Sequence, residues 1–181
     1  FKELNSSIKI LESWGLEVVF GEFLFEQDNQ FSATVEQRSF DLQNMIDNVE
    51  IKAILCARGG YGTVQIIDRI DFYSLHKNHK WIIGYSDITV LHCHLNQIGL
   101  ATLHATMPIN FSKNTQKSLE SFKNAIFGIE NVIVAPAHQF NRTGKIEGEI
   151  VGGNLSILYS LLGSESDIDT AGRILFLEDL D

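Results

Sequence analysis

The stretch that decides the fold is Trp81-Ile82-Ile83-Gly84-Tyr85-Ser86-Asp87, which leads directly into Ile88–Gln97. Trp81–Tyr85 is a short apolar run typical of a buried strand, whereas Ile88–Gln97 has the apolar spacing of a helix. Ser86 and Asp87 form the turn between the two. A strand that passes into a helix through so short a turn indicates part of a βαβ unit.

The same order of elements occurs on both sides of this stretch. Before it, the apolar run Ile51–Cys56 precedes the turn Arg58–Gly62 and a helical pattern over residues 64–70; after it, Leu100–Leu103 resumes a strand. Repeated strand, turn and helix imply parallel strands joined by right-handed crossovers, with ligands at the carboxyl ends of the strands. We therefore predict an α/β fold whose N-terminal domain has a mainly parallel sheet flanked by helices.

The flanking regions complete this first domain. An amphipathic helix spans Leu4–Trp14, Leu16–Phe20 follows as a short strand, and Thr34 and Gln37 have the spacing of a capping box ahead of another helix. A further helix is predicted over Gln116–Phe127. We assign residues 1–130 to this domain, with its first strand apparently missing.

A second domain is predicted to begin near residue 146, after a linker at residues 131–145. Glu147–Val151 leads into Gly152-Gly153-Asn154. A helix over Leu155–Leu162 and a strand over Arg173–Leu177 follow. We expect residues 146–181 to be only the start of this C-terminal domain, and the chain to be a piece of a longer one.

Composition limits the possible ligands and the compartment. The chain has 181 residues, 44% of them hydrophobic, and a net charge of −9, so an electrostatic grip on nucleic acid or an anionic membrane is not expected. No apolar run approaches the ~18 residues of a membrane span. Cys56 and Cys93 lie in apolar stretches and are interpreted as buried residues of a reducing compartment. A small molecule or peptide in the cytoplasm is the expected partner.

Ser86 is the first candidate for chemistry. A serine on a turn between a strand and a helix has an exposed hydroxyl, and the adjacent amide of Asp87, at a helix start, is suited to bind an oxyanion. The alternative is that Ser86 or Asp87 only caps the helix. Ile88 stands where the Gly-x-Ser-x-Gly elbow has glycine, so the motif is incomplete.

The glycine-rich turn Arg58–Gly62 allows three interpretations. It is a phosphate cradle, a source of an oxyanion-binding amide from Gly59 or Gly60, or simply a tight turn. It matches neither the dinucleotide nor the Walker pattern, which disfavours nucleotide binding.

The histidines and the terminal carboxylates leave further alternatives. His92 and His94 are two residues apart and so lie on different faces of a helix, which disfavours a metal site. Those two and His104 are possible bases for Ser86, although packing roles are more common. Glu178 follows the last predicted strand, where a carboxylate can orient a histidine or merely form a turn.

Five segments in order resemble the LD-carboxypeptidase family of serine peptidases, which includes the muropeptide carboxypeptidases and the microcin C self-immunity hydrolases. The segments are Arg38 with Asp41-Leu42, Lys52–Ile54 with Arg58–Gly62, Ile83–Thr89 with Leu91-His92, Gly152–Leu155, and Phe176–Asp179. The resemblance implies a two-domain, metal-free and cofactor-free enzyme that tends to dimerise. The site residues it implies are the nucleophile Ser86, the triad carboxylate Glu178, the oxyanion donors Asp87 and Gly59 or Gly60, and the substrate contacts Arg58, Tyr61 and Asn154.

The activity implied by the resemblance is cleavage of an amide between an L-centre and a terminal D-amino acid in peptidoglycan-derived tetrapeptides. Two departures from the family pattern stand out. His104-Ala105 replaces the usual His-Gly-Pro, and the family histidine, which follows the glutamate by several tens of residues, is expected beyond Asp181. The alternatives are a peptidyl-nucleotide hydrolase of the microcin immunity type and an inactive muropeptide-binding module.

Overall fold

The computed structural model describes residues 3–180, and its central feature is a parallel three-stranded sheet. The strands are β1 (Ala53–Leu55), β2 (Trp81–Gly84) and β3 (Leu103–His104), in the order β1-β2-β3. Both pairings are parallel, with Leu55 opposite Ile83 and Gly84 opposite His104. The α/β prediction is therefore confirmed, and the strand that ends before Ser86 is the central one.

Helices surround this sheet and connect its strands. They are α1 (Asn5–Ser13), α2 (Val35–Asp47), α3 (Tyr73–Lys77), α4 (Thr89–Gln97), α5 (Gln116–Ile126) and α6 (Leu155–Leu161). The predicted capping box begins α2, because the Thr34 hydroxyl accepts a hydrogen bond from the Gln37 amide and the Gln37 side chain accepts one from the Thr34 amide.

A second sheet is built from β4 (Ile150–Asn154) and β5 (Ile174–Glu178), joined through α6. These strands are also parallel, and Asn154 lies opposite Glu178 at their carboxyl ends. The second sheet packs on α4: the amide of Asn154 donates to the Thr89 hydroxyl at 3.0 Å. A side chain at Gly153 would lie 2.5 Å from that same hydroxyl oxygen, so only glycine allows this close approach.

The core follows from alternation along β2. Ile82 packs into a cluster with Leu91 and Leu95 of α4, whereas Ile83 faces the opposite side and packs with Phe111 and Phe122. Successive strand residues point to opposite faces, so a strand without polar alternation is buried on both. All six side chains are buried.

Two sequence predictions about local structure are wrong. Leu16–Phe20 pairs with no strand among the described residues, although Leu16 and Val18 do pack on the Phe111 cluster. Residues 64–70 form two 3₁₀ turns, Thr63–Gln65 and Ile67–Arg69, rather than an α-helix.

The glycines after residue 150 allow β4 to approach its neighbouring strand closely. Gly152 and Gly153 lie inside β4. Their φ values of 126° and 151° are available only to glycine, and a Cβ on Gly152 would lie 1.9 Å from the Phe176 carbonyl oxygen. Apolar periodicity cannot reveal such a backbone contact.

Residues 129–149 contain no helix or strand and are exposed. Within residues 3–180, no helix combines the length and the apolar character needed to cross a bilayer.

Candidate active site

Ser86 occupies a strained turn at the end of the central strand. Its φ of +60° is rare for a residue with a side chain, and such strain is typical of functional positions. A side chain at Gly84 would lie 2.6 Å from Ile88, so the turn is as tight as the sequence indicated. The Ser86 hydroxyl makes no hydrogen bond with a described residue, and therefore does not cap α4.

Asp87 does not cap α4 either; its carboxylate holds the neighbouring loop. The Asp87 Oδ2 atom accepts hydrogen bonds from the Gly62 amide at 3.1 Å, the Thr63 amide at 3.0 Å and the Thr63 hydroxyl at 2.7 Å. Asp87 is only 4% exposed, so these bonds compensate for burying a carboxylate. No sequence motif indicates this role for Thr63.

The anchored loop brings Gly59 next to Ser86. A Cβ built on Gly59 would lie 3.3 Å from the Ser86 Cβ and 3.4 Å from its Oγ. The amides of Gly59 and Gly60 have no hydrogen-bond acceptor in the described part of the chain. The amide of Asp87, early in a helical turn, has no acceptor within that turn. These amides are the available donors for an oxyanion on Ser86.

Arg58 and Tyr61 lie on the outer side of the same loop. Both are exposed, Tyr61 by 79%, and the guanidinium of Arg58 reaches only the neighbouring Gly59 carbonyl, at 3.4 Å. Neither side chain has a structural task among the described contacts. Both are available to a ligand beside Ser86.

The carboxyl ends of the second sheet carry the other candidates. Asn154 is buried, its Oδ1 caps α6 by accepting from the Ile157 amide, and its Nδ2 donates to Glu178 and Asp179 at 3.4 Å each. Asp179 also accepts from the Ser156 amide and hydroxyl, and these bonds lower its pKa. Glu178, in contrast, has a single long hydrogen bond and keeps acceptor capacity for another partner.

His92 is a structural residue that fixes the Ser86 turn. Its Nε2 donates to the Gly84 carbonyl at 3.0 Å, so its Nδ1 is unprotonated and accepts from the Thr102 hydroxyl at 2.7 Å. Burial lowers the His92 pKa to about 4. His94 likewise packs against Phe72 and contacts the Ser166 hydroxyl at 3.0 Å. Neither is hydrogen-bonded to Ser86.

His104 lies between the two sheets. Its ring is 4.9 Å from that of Phe176 and 6.3 Å from that of Tyr85, and its Nδ1 is buried without a partner among the described residues. Burial lowers the His104 pKa, and the carboxylate of Glu178 acts in the opposite direction. Within residues 3–180 no group of three or more His, Cys, Asp or Glu residues is arranged to hold a metal ion.

A cleft of about 380 Å³ opens beside Tyr85, on the β3 side of the turn. Sequence reasoning missed it, because two of its polar residues, Asn110 and Lys113, come from a 3₁₀ helix, Pro108–Lys113, that carries no recognisable motif.

The parallel sheet and the serine on a strained strand-to-helix turn define an α/β protein with a hydrolase-type site. Residues 1–105 match the family model of the LD-carboxypeptidase N-terminal domain, and residues 147–181 match that of the C-terminal domain. The chain belongs to the LD-carboxypeptidase family, peptidase S66, as the resemblance predicted.

Relatives and solved structures agree with this membership. The probable murein peptide carboxypeptidase of Bacillus subtilis is 39% identical, over 99% of this chain and 58% of its own length. Muramoyltetrapeptide carboxypeptidase from Oxalobacter formigenes superposes with a TM-score of 0.82 at 28% identity, over 98% of this chain and 61% of that one.

A third match is a variant of the microcin C7 self-immunity protein MccF in which an active-site serine, asparagine and lysine are replaced by alanine. It has a TM-score of 0.83 at 25% identity, over 98% of this chain and 63% of that one. The chain thus spans roughly three fifths of the length of these matches.

Proposed function

We propose that the protein is a serine carboxypeptidase that releases a terminal D-amino acid from peptidoglycan-derived tetrapeptides. The observation that carries this proposal is the strained Ser86 turn with Gly59 beside its hydroxyl. The names of the Bacillus and Oxalobacter proteins support the substrate class. The active-site serine that is replaced in the MccF variant supports a serine as the nucleophile.

The proposed reaction begins with attack by the Ser86 Oγ on the scissile carbonyl carbon. The oxyanion accepts hydrogen bonds from the Asp87 amide and from an amide of the Gly59–Gly60 pair. The C–N bond then breaks, the D-amino acid leaves with a proton, and water hydrolyses the ester on Ser86. Arg58 and Tyr61 place the terminal carboxylate of the substrate.

A histidine that follows Glu178 in the complete protein takes the Ser86 proton and passes it to the leaving amine. Glu178 orients this histidine and stabilises its protonated form. The free acceptor capacity of Glu178 supports this assignment. We propose further that the protein acts in the cytoplasm as a homodimer, as expected from the family.

The test compares wild type with Ser86→Ala, both expressed from the complete reading frame, for D-alanine release from the tetrapeptide. The variant is expected to lose at least about 10³-fold in kcat. An exposed serine, Ser112, replaced by alanine is the matched control. Equal rates of D-alanine release for wild type and Ser86→Ala would contradict the proposal.

The second candidate function is hydrolysis of a peptidyl nucleotide, favoured by the structural match to MccF. Cleavage of a peptidyl-nucleotide conjugate with a higher kcat/KM than the tetrapeptide would decide for it. Binding of the tetrapeptide without cleavage of either substrate would instead indicate an inactive muropeptide-binding module.

A further inference from the structure

The cleft beside Tyr85 has the chemistry of a carboxylate site. Its polar wall consists of Tyr85, His104, Thr106, Asn110, Lys113 and Asn114, and no acidic residue among those described lines it. A cleft whose wall contains a lysine and no carboxylate favours an anionic ligand.

The hydrogen bonds within the cleft leave donors available. Asn110 donates its Nδ2 hydrogen to the Tyr85 hydroxyl oxygen at 2.7 Å, so the Tyr85 proton remains available. The Thr106 hydroxyl donates to Asn114 Oδ1 at 2.7 Å, which leaves the Asn114 amide hydrogens available. Lys113 is exposed and forms no ion pair or hydrogen bond with a described residue. The cleft thus offers a hydroxyl, an amide and an ammonium group, a set that matches a carboxylate.

The position of the cleft relative to Ser86 defines which carboxylate it takes. In the order β1-β2-β3, Ser86 follows the central strand, Arg58 lies after β1, and the cleft lies after β3. Tyr85, directly before Ser86, forms part of its wall. The two cations therefore flank the serine from opposite sides.

We propose that the cleft binds a second carboxylate of the substrate, on the side chain of the residue whose carbonyl Ser86 attacks, with Lys113 as its charge partner. This inference rests on the proposed function, in which Arg58 holds the terminal carboxylate across the serine. Lys113 and Arg58 together then select peptides that carry a carboxylate on each side of the scissile amide.

The test uses two tetrapeptides that differ at the third residue. One carries diaminopimelate and the other lysine, which lacks only the side-chain carboxylate. The wild-type protein, expressed from its complete reading frame, is expected to prefer the first by about tenfold in kcat/KM, an effect typical of one partly exposed charge-assisted contact. Lys113→Met is expected to abolish this preference by losing activity on the first peptide only, and Lys113→Arg to retain most of it.

Lys117→Met is the matched control, because Lys117 is an exposed lysine that does not line the cleft and has no described contact; its preference should equal that of wild type. A wild type without preference, or Lys113→Met with the same loss on both peptides or on neither, would overturn the subsite while leaving the carboxypeptidase intact. Failure of the wild type to cleave either peptide would overturn the proposed function, and the subsite with it.

Discussion

Replacing Asp87 by alanine is expected to lower the free energy of unfolding by about 3 to 5 kcal/mol. The carboxylate is 4% exposed and accepts three hydrogen bonds, so its removal leaves two amides and the Thr63 hydroxyl buried without an acceptor. Hydrogen bonds to a charged group contribute roughly 1.5 to 3 kcal/mol each and are not additive within one network. Thr63→Val removes one of the three and is expected to cost about 1 to 2 kcal/mol.

The measurement is urea unfolding followed by the fluorescence of the two tryptophans, one of which, Trp81, begins β2. The exposed Asp68, whose carboxylate has no described partner, provides the control; Asp68→Ala should change stability by less than about 0.5 kcal/mol. Because Asp87 and Thr63 share a bond, the double variant should lose less than the sum of the single losses. Strict additivity, or an Asp87→Ala loss as small as that of the control, would refute the anchoring role.

Two further predictions concern the same turn. Gly59→Ala should fold with near-normal stability but lose about 10- to 100-fold in kcat/KM, because its methyl group would lie 3.3 Å from the Ser86 Cβ. Gly144→Ala is the control and should match wild type, because the space around Gly144 is open. Equal activity of the two variants would contradict the close approach of Gly59 to Ser86. Since the His92 pKa falls from 6.5 unfolded to about 4 folded, stability should be complete above pH 6.5 and decline by up to roughly 3 kcal/mol as the pH falls towards 4. His92→Gln should flatten this decline in acid unfolding measurements, and an unchanged slope would exclude His92 as its source.

The strands at the centre of the fold could be predicted because they are buried on both faces. Ile82 and Ile83 are both apolar although they point in opposite directions, and such an unbroken apolar run predicts a strand that is buried on both faces. Leu16–Phe20 has a similar composition but only packs on the sheet. An apolar composition predicts that a segment is buried. It does not predict whether the segment pairs with another strand, because pairing depends on backbone that is distant in the sequence.

The candidate site was partly visible in the sequence for a related reason. Ser86, Gly59 and Glu178 belong to sequence motifs, and a motif predicts the local geometry of the residues within it. Thr63 and Lys113 belong to none, and their tasks arise only because the sheet order sets the loops after β1 and β3 on either side of Ser86. The side-chain role of Asp87 was also hidden, since its partners lie 24 and 25 residues earlier.

The contact between Gly153 and Thr89 joins β4 to α4 with only the short Thr89 side chain between the two backbones. Thr89 is the first residue of α4 and directly follows the turn Ser86–Ile88. β4 pairs with β5, the strand that ends at Glu178. The gap between the serine and the carboxylate is therefore set by backbone and one short side chain, which leaves less room for variation than a layer of larger side chains would. Evolution can remodel the surrounding loops to suit new substrates, but this joint leaves it almost no freedom, because a single added methyl group would force the two halves of the site apart.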